Sequence, residues 1–192
     1  MANIMDREFL YSEIVLVPEH LAAIGSVAIE SSNCERLIEN IIWQLLGVEE
    51  DQGKFLTKGT QFQSSLELFL NLAKERLGDR EDLTAIVTKI KSDIKEAVTD
   101  RNVIIHGEWK SPIPNFLALL SNGPAGYPPA RAYKRTLNSA PTEFPAEKAR
   151  DLALRFAHLS DELVQFTVDH WAEFLEPSLG KAELPPLSPL PT

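Results

Sequence analysis

The chain has 192 residues, of which 44% are hydrophobic and 24% are charged, ordinary proportions for a globular protein with one full core. Its 28 acidic and 19 basic residues leave a net charge of -9, which disfavours general binding to nucleic acid and restricts any such binding to a local site. The one cysteine excludes an internal disulfide, and no apolar run approaches the roughly 18 residues of a membrane span, so the expected location is the cytoplasm.

The first predicted helix runs from Pro18 to Leu46, after a short extended segment at residues 13–17. Its core face is expected to contain Ile24, Ala28, Ser31, Glu35, Ile38, Ile42 and Leu45. Glu35 would then stand in the centre of an apolar stripe. Its neighbour Cys34 is interpreted as a small residue at the edge of the core rather than as a nucleophile.

A loop is predicted from Gly47 to Thr60 because Gly53 and Gly59 interrupt any helical pattern there. The second helix begins near Thr60 and ends by Gly78. Its core face consists of Phe62, Leu66, Phe69, Leu70, Ala73 and Leu77.

The third helix is predicted from about Glu81 to His106. It is the longest helix-like apolar pattern of the chain, and it ends in a polar cluster. Its buried stripe is predicted to contain Leu83, Val87, Ile90, Ile94, Ala97, Val98, Ile104 and Ile105. Arg101 projects from the middle of that stripe, whereas Asn102 and His106 are four residues apart and share an adjoining face. Gly107 suits the C-cap.

The character of the chain changes after residue 110, since twelve of the 13 prolines lie beyond residue 111. Residues 116–120 and 132–137 are predicted to form a small β-hairpin. The basic residues Arg131, Lys134 and Arg135 have two interpretations: a charged strand edge that resists pairing with other molecules, or a set of phosphate contacts.

The fourth helix is predicted from near Pro145 to about Leu175, and a proline-rich, flexible tail from residue 177 to 192. The predicted fold is therefore all-α: one domain over residues 1–176, built as a four-helix up-down bundle with a small β-hairpin insertion at about residues 110–145.

Several chemistries lack a motif in this sequence. It has no cysteine pair or His-Glu-x-x-His for metal binding, no glycine-rich phosphate loop and no nucleophile elbow, so neither a metal nor a cofactor is predicted. The residues that remain for chemistry are Arg101, Asn102 and His106.

The end of the third helix, Arg101 to His106, resembles the signature of the HEPN superfamily, in which an arginine, a polar residue, a few apolar residues and a histidine end a long helix. Gly107 and Trp109 are also similar to residues of HEPN-like proteins. The resemblance implies a HEPN-like helical fold and a metal-independent endoribonuclease of the toxin or defence type, with Arg101, Asn102 and His106 as its catalytic residues.

By this resemblance Arg101 would hold the scissile phosphate, His106 would move a proton and Asn102 would orient them, with the site completed across a homodimer. RNA would be the substrate. The alternative is a noncatalytic helical module that binds a protein or small ligand, in which Arg101 is a structural ion-pair residue. Because an unpaired buried charge is costly, Glu35 is expected to support the site through a buried ion pair with Arg101.

Overall fold

The computed structural model of the chain describes residues 18–106, 108–110, 131–133 and 145–175. The helices are α1 (Pro18–Leu46), α2 (Glu50–Thr57), α3 (Phe62–Leu77), α4 (Glu81–His106), α5 (Ala146–Asp169) and α6 (Trp171–Phe174), and the strands are β1 (Glu108–Lys110) and β2 (Arg131–Tyr133). The described part of the chain is mostly helical, which confirms the all-α class. None of these helices combines the length and apolar character needed to cross a membrane.

The bounds predicted for α1 and α4 are confirmed, but the loop predicted between Gly47 and Thr60 is wrong because it contains α2. Two acidic residues occupy the first turn of α2, where the helix dipole favours them, and Glu50 pairs with Lys54 one turn later at 2.5 Å. Gly53 does not break this helix. It packs against the ring of Trp43 in α1, where a side chain would overlap the indole.

One hydrophobic core joins α1, α3, α4, α5 and α6. Phe174 of α6 places its ring against Phe69 of α3 and Phe166 of α5, with centroid separations of 6.4 and 5.2 Å in edge-on geometry. The last turn of α4 is anchored in the same core by Val103 and Ile104. These contacts fix the helix end on which the polar cluster lies.

The buried face of α1 shares Ser31, Ile38, Ile42 and Leu45 with the predicted one but differs from it elsewhere. It contains His20, Ala23, Val27, Ser31, Cys34, Ile38, Ile41, Ile42, Trp43 and Leu45. Glu35 is half-buried beside this face rather than central to it, and Cys34 occupies the core position with no exposed surface. The prediction took Glu35 as a stripe residue because the polar His20 and the single Cys34 were not read as core positions.

Surface ion pairs show how α3, α4 and α5 are arranged. Lys91 of α4 pairs with Glu67 of α3 at 2.6 Å, and α3 joins α4 through a turn in which Gly78 has φ of 55°. Arg155 of α5 pairs with Glu96 of α4 at 2.8 Å. With the short α3–α4 turn, the first of these pairs makes α3 and α4 antiparallel neighbours.

The two strands lie immediately after α4. They pair antiparallel with Lys110 opposite Arg131 and Glu108 opposite Tyr133, and β2 also contacts α4. The predicted second arm, residues 132–137, overlaps β2 in part. The predicted first arm at 116–120 lies outside the described residues, as do the extended segment at 13–17 and the tail at 177–192.

Candidate functional site

The candidate site is the polar cluster at the C-terminal end of α4. Val103 and Ile104 point into the core, so the residues on either side of them are turned toward the surface. Arg101 and Asn102 are half-buried, and His106 in the last turn is exposed. The helix therefore presents the three motif residues at one end, as the motif spacing predicts.

Arg101 connects the cluster. Its Nη1 donates a hydrogen bond to Oδ1 of Asn102 at 3.1 Å and lies 3.4 Å from Nε2 of His106. A guanidinium has no acceptor atom, so a hydrogen bond between these groups requires the lone pair of Nε2. The imidazole that fits this contact is neutral and carries its proton on Nδ1.

The buried ion pair predicted between Glu35 and Arg101 is not formed. The ion pairs of the described residues do not include it, and the hydrogen-bonded partners of the guanidinium are Asn102 and His106. Nε of Arg101 is buried without a hydrogen-bond partner. A buried N–H group without a partner carries a desolvation cost.

Glu35 still belongs to the electrostatic environment of the cluster. Partial burial and, second, the negative charge of Glu39 raise the pKa of the Glu35 carboxyl, while the positive charge of Arg101 lowers it. The carboxylate and the guanidinium thus interact at longer range than an ion pair. The sequence interpretation missed Glu39, although its position one helical turn after Glu35 was the available signal.

The basic residues proposed as phosphate contacts are only partly located. The backbone of Arg131 lies in β2, and this strand contacts α4 and pairs with the strand that follows His106. Lys134 and Arg135 lie outside the described residues. The structure therefore places the strand that contains Arg131 against α4. It does not describe the side chains of the basic cluster.

No residue of the cluster lines either of two grooves on the described part of the fold. One groove, between α3 and α4, is lined by Lys74, Gly78, Glu81, Thr84, Ala85, Thr88, Lys89, Ser92 and Asp93. The other lies along α2. Among the described residues, no group of three or more His, Cys, Asp or Glu side chains is placed to hold a metal ion.

Comparisons with known proteins found no relative of this chain. A scan of protein-family models, a search of curated proteins and a search of solved structures each found no match to the chain. The residues of the α4 cluster are therefore the basis for a functional assignment.

Proposed function

We propose that the chain is a HEPN-like protein that acts as a metal-independent endoribonuclease of the toxin or defence type, with Arg101 and His106 at a groove between two copies. The observation that carries the proposal is the contact of one guanidinium with both an amide and an imidazole at the exposed end of α4. Arginine, asparagine and histidine are sufficient for phosphodiester cleavage without a metal.

The chemistry follows from the two contacts of Arg101. A phosphate that binds the guanidinium replaces His106 as its partner and leaves Nε2 free. The neutral imidazole then takes the proton of the ribose 2′-hydroxyl as the 2′-oxygen attacks phosphorus. The 5′-oxygen leaves with a proton from the His106 of the second copy, which must start protonated. Cleavage produces a 2′,3′-cyclic phosphate and a free 5′-hydroxyl.

The proposal includes an architecture as well as a reaction. The main helices would form a four-helix up-down bundle, and the β1–β2 region would be a hairpin insertion that carries Arg131, Lys134 and Arg135 toward the bound phosphates. The contact between β2 and α4 supports this placement. Two copies would pair across α4, so light scattering at micromolar concentration should return twice the mass of one chain. A monomer mass would contradict the shared site.

The direct test is cleavage of total RNA in the presence of a chelator. Arg101→Ala and His106→Ala should each lower the cleavage rate by about a hundredfold, the usual effect of removing an acid, base or charge-stabilising group. Arg36→Ala is a matched control because it removes an exposed arginine of α1 whose hydrogen-bonded partner is Asn33 and not a residue of the cluster. Equal cleavage by wild type and the Arg101 and His106 variants would identify a contaminating nuclease.

A second candidate is a noncatalytic helical module that binds a protein or a small ligand. The acidic surroundings of Arg101 favour it, because Glu35 and Glu39 oppose the approach of RNA and the chain carries a net charge of -9. In that case Arg101 serves the fold. Wild-type protein would then leave RNA intact, and Arg101→Ala would lower thermal stability more than Arg36→Ala does.

A further inference from the structure

A surface remote from the α4 cluster has its own unexplained feature. Phe55 and Leu56 of α2 are 80% and 57% exposed, and they line a groove of about 500 Å³ with Val48, Asp51 and Gln52. The buried residues of α2 are Gly53 and Thr57. An amphipathic helix usually buries its largest apolar side chains. This helix instead exposes them to solvent, which is typical of a surface that binds another segment or molecule.

The last described helix, α6, is linked to the region of this groove through α3. Phe174 packs on Phe69 in α3, and Arg76, seven residues further along α3, donates a hydrogen bond to the Leu45 carbonyl at 3.1 Å. Leu45 is the penultimate residue of α1, and α2 begins four residues after α1 ends. Residues 176–184 span up to about 30 Å when extended, which exceeds the length of α3, about 24 Å. The segment beyond them can therefore reach α2.

The sequence of that segment matches the groove chemically. Residues 184–191 read Leu-Pro-Pro-Leu-Ser-Pro-Leu-Pro, with no charged residue and with Pro186 and Pro189 in P-x-x-P spacing. Such segments favour the polyproline conformation, which loses little entropy on binding and docks on exposed aromatic surfaces. A neutral segment also avoids repulsion from a chain whose net charge is -9.

We propose that residues 184–191 bind the Phe55–Leu56 groove of the same chain. Leu187 and Leu190 would contact the phenyl ring and Leu56, while the prolines hold the segment extended along α2. This inference is independent of the proposed ribonuclease activity, since it uses no residue of the α4 cluster.

Paramagnetic broadening in the full-length chain tests the proposal. A nitroxide is attached to the thiol introduced by Thr192→Cys, in a Cys34→Ala background that leaves one reactive thiol. The amide signals of α2 should lose intensity, most strongly near Gln52 and Phe55. The same label on a chain that also carries Leu187→Ser and Leu190→Ser should restore that intensity, because the apolar contacts are lost while the tether is unchanged.

The matched variant on the groove side is Phe55→Ser, with the helical circular-dichroism signal as a check on folding. Loss of broadening in both variants supports docking. Broadening that persists in the tail variant reflects tethering alone and overturns the proposal. Mixing isotope-labelled chains with spin-labelled, isotope-free chains identifies the source of the segment: broadening in that mixture assigns the groove to a second copy and contradicts binding within one chain.

Discussion

Arg101 contacts His106 five residues further along the same helix, with Nη1 of the guanidinium 3.4 Å from Nε2 of the imidazole. The contact places a permanent positive charge against the ring nitrogen that would act as the base. A hydrogen bond at this contact requires the tautomer with its proton on Nδ1, and a ligand that draws the guanidinium away would release Nε2 for proton transfer.

The first prediction concerns this tautomer. Nitrogen chemical shifts of His106 at pH 8 should report a neutral ring with its proton on Nδ1, because Nε2 accepts from Arg101. Arg101→Ala should shift the ring toward the Nε2–H tautomer. His158, an exposed histidine of α5, serves as the internal control and should not change. A wild-type His106 already protonated on Nε2 would contradict the contact.

The second prediction concerns Glu35. Because its pKa is raised above 4.5 by partial burial and by Glu39, its contribution to stability is present below pH 4.5 and lost as pH rises through the folded-state pKa. At pH 7 the ionised carboxylate therefore costs stability. Glu35→Gln should raise the unfolding free energy by a few tenths of a kcal/mol, a small value because the side chain is partly solvated.

The measurement is urea unfolding at pH 7 and at pH 4, where the gain from Glu35→Gln should shrink. Glu75→Gln removes an exposed carboxylate of α3 and provides the control for the change in net charge. A loss of stability in the Glu35 variant at pH 7 would show that the attraction to Arg101 outweighs the cost of burial.

The third prediction reverses a usual trend. Glycine to alanine in a helix normally stabilises by about 0.5–1 kcal/mol. Gly53→Ala should instead destabilise, by about 1–3 kcal/mol, because the new methyl group would overlap the Trp43 ring. Thermal unfolding measures the change. In a Trp43→Leu background, Gly53→Ala should not cause this loss of stability, because the indole ring is absent. If Gly53→Ala alone raises the melting temperature, α2 does not rest on the indole.

The fourth prediction concerns Cys34. Burial is the main cause that raises the pKa of the Cys34 thiol from 9.0 to about 11. A hydrogen bond with Ser160 is the second cause and acts in the opposite direction. At pH 8 the native thiol should therefore react with a disulfide reagent at least about a hundredfold more slowly than in denaturant. Absorbance of the released thiolate measures the rate. Equal rates in both conditions would place Cys34 at the surface.

The same shift predicts the alkaline limit of stability. The contribution of the neutral thiol is complete below pH 9.0 and is lost as pH rises through about 11. Cys34→Ala should remove this part of the alkaline decline while lysine and tyrosine titrations continue to contribute.

The sequence predicted the long helices well because their apolar residues repeat at helical spacing and polar turns separate them. The bounds of α4 agree with the predicted ones, but Arg101, expected in the middle of the buried stripe, is only half-buried. Fold class and candidate site therefore follow from local patterns.

The errors arose where a tertiary contact decides the role of a residue. Gly53 is typical of a loop in isolation, but in the fold it allows α2 to approach Trp43. Glu35 fits an apolar stripe by spacing, yet Cys34 fills the core position and leaves the carboxylate at its edge. Neither outcome can be obtained from periodicity, since each depends on which helix lies opposite.

The pairing of β1 with β2 has a consequence for variation in length. Lys110 and Arg131 are register partners, so the strand pairing brings together the two chain positions that bound residues 111–130. Doubling the length of a closed loop costs only about 0.6 kcal/mol. This segment can therefore be lengthened, shortened or replaced by another domain while His106, which precedes the closure by four residues, keeps its place.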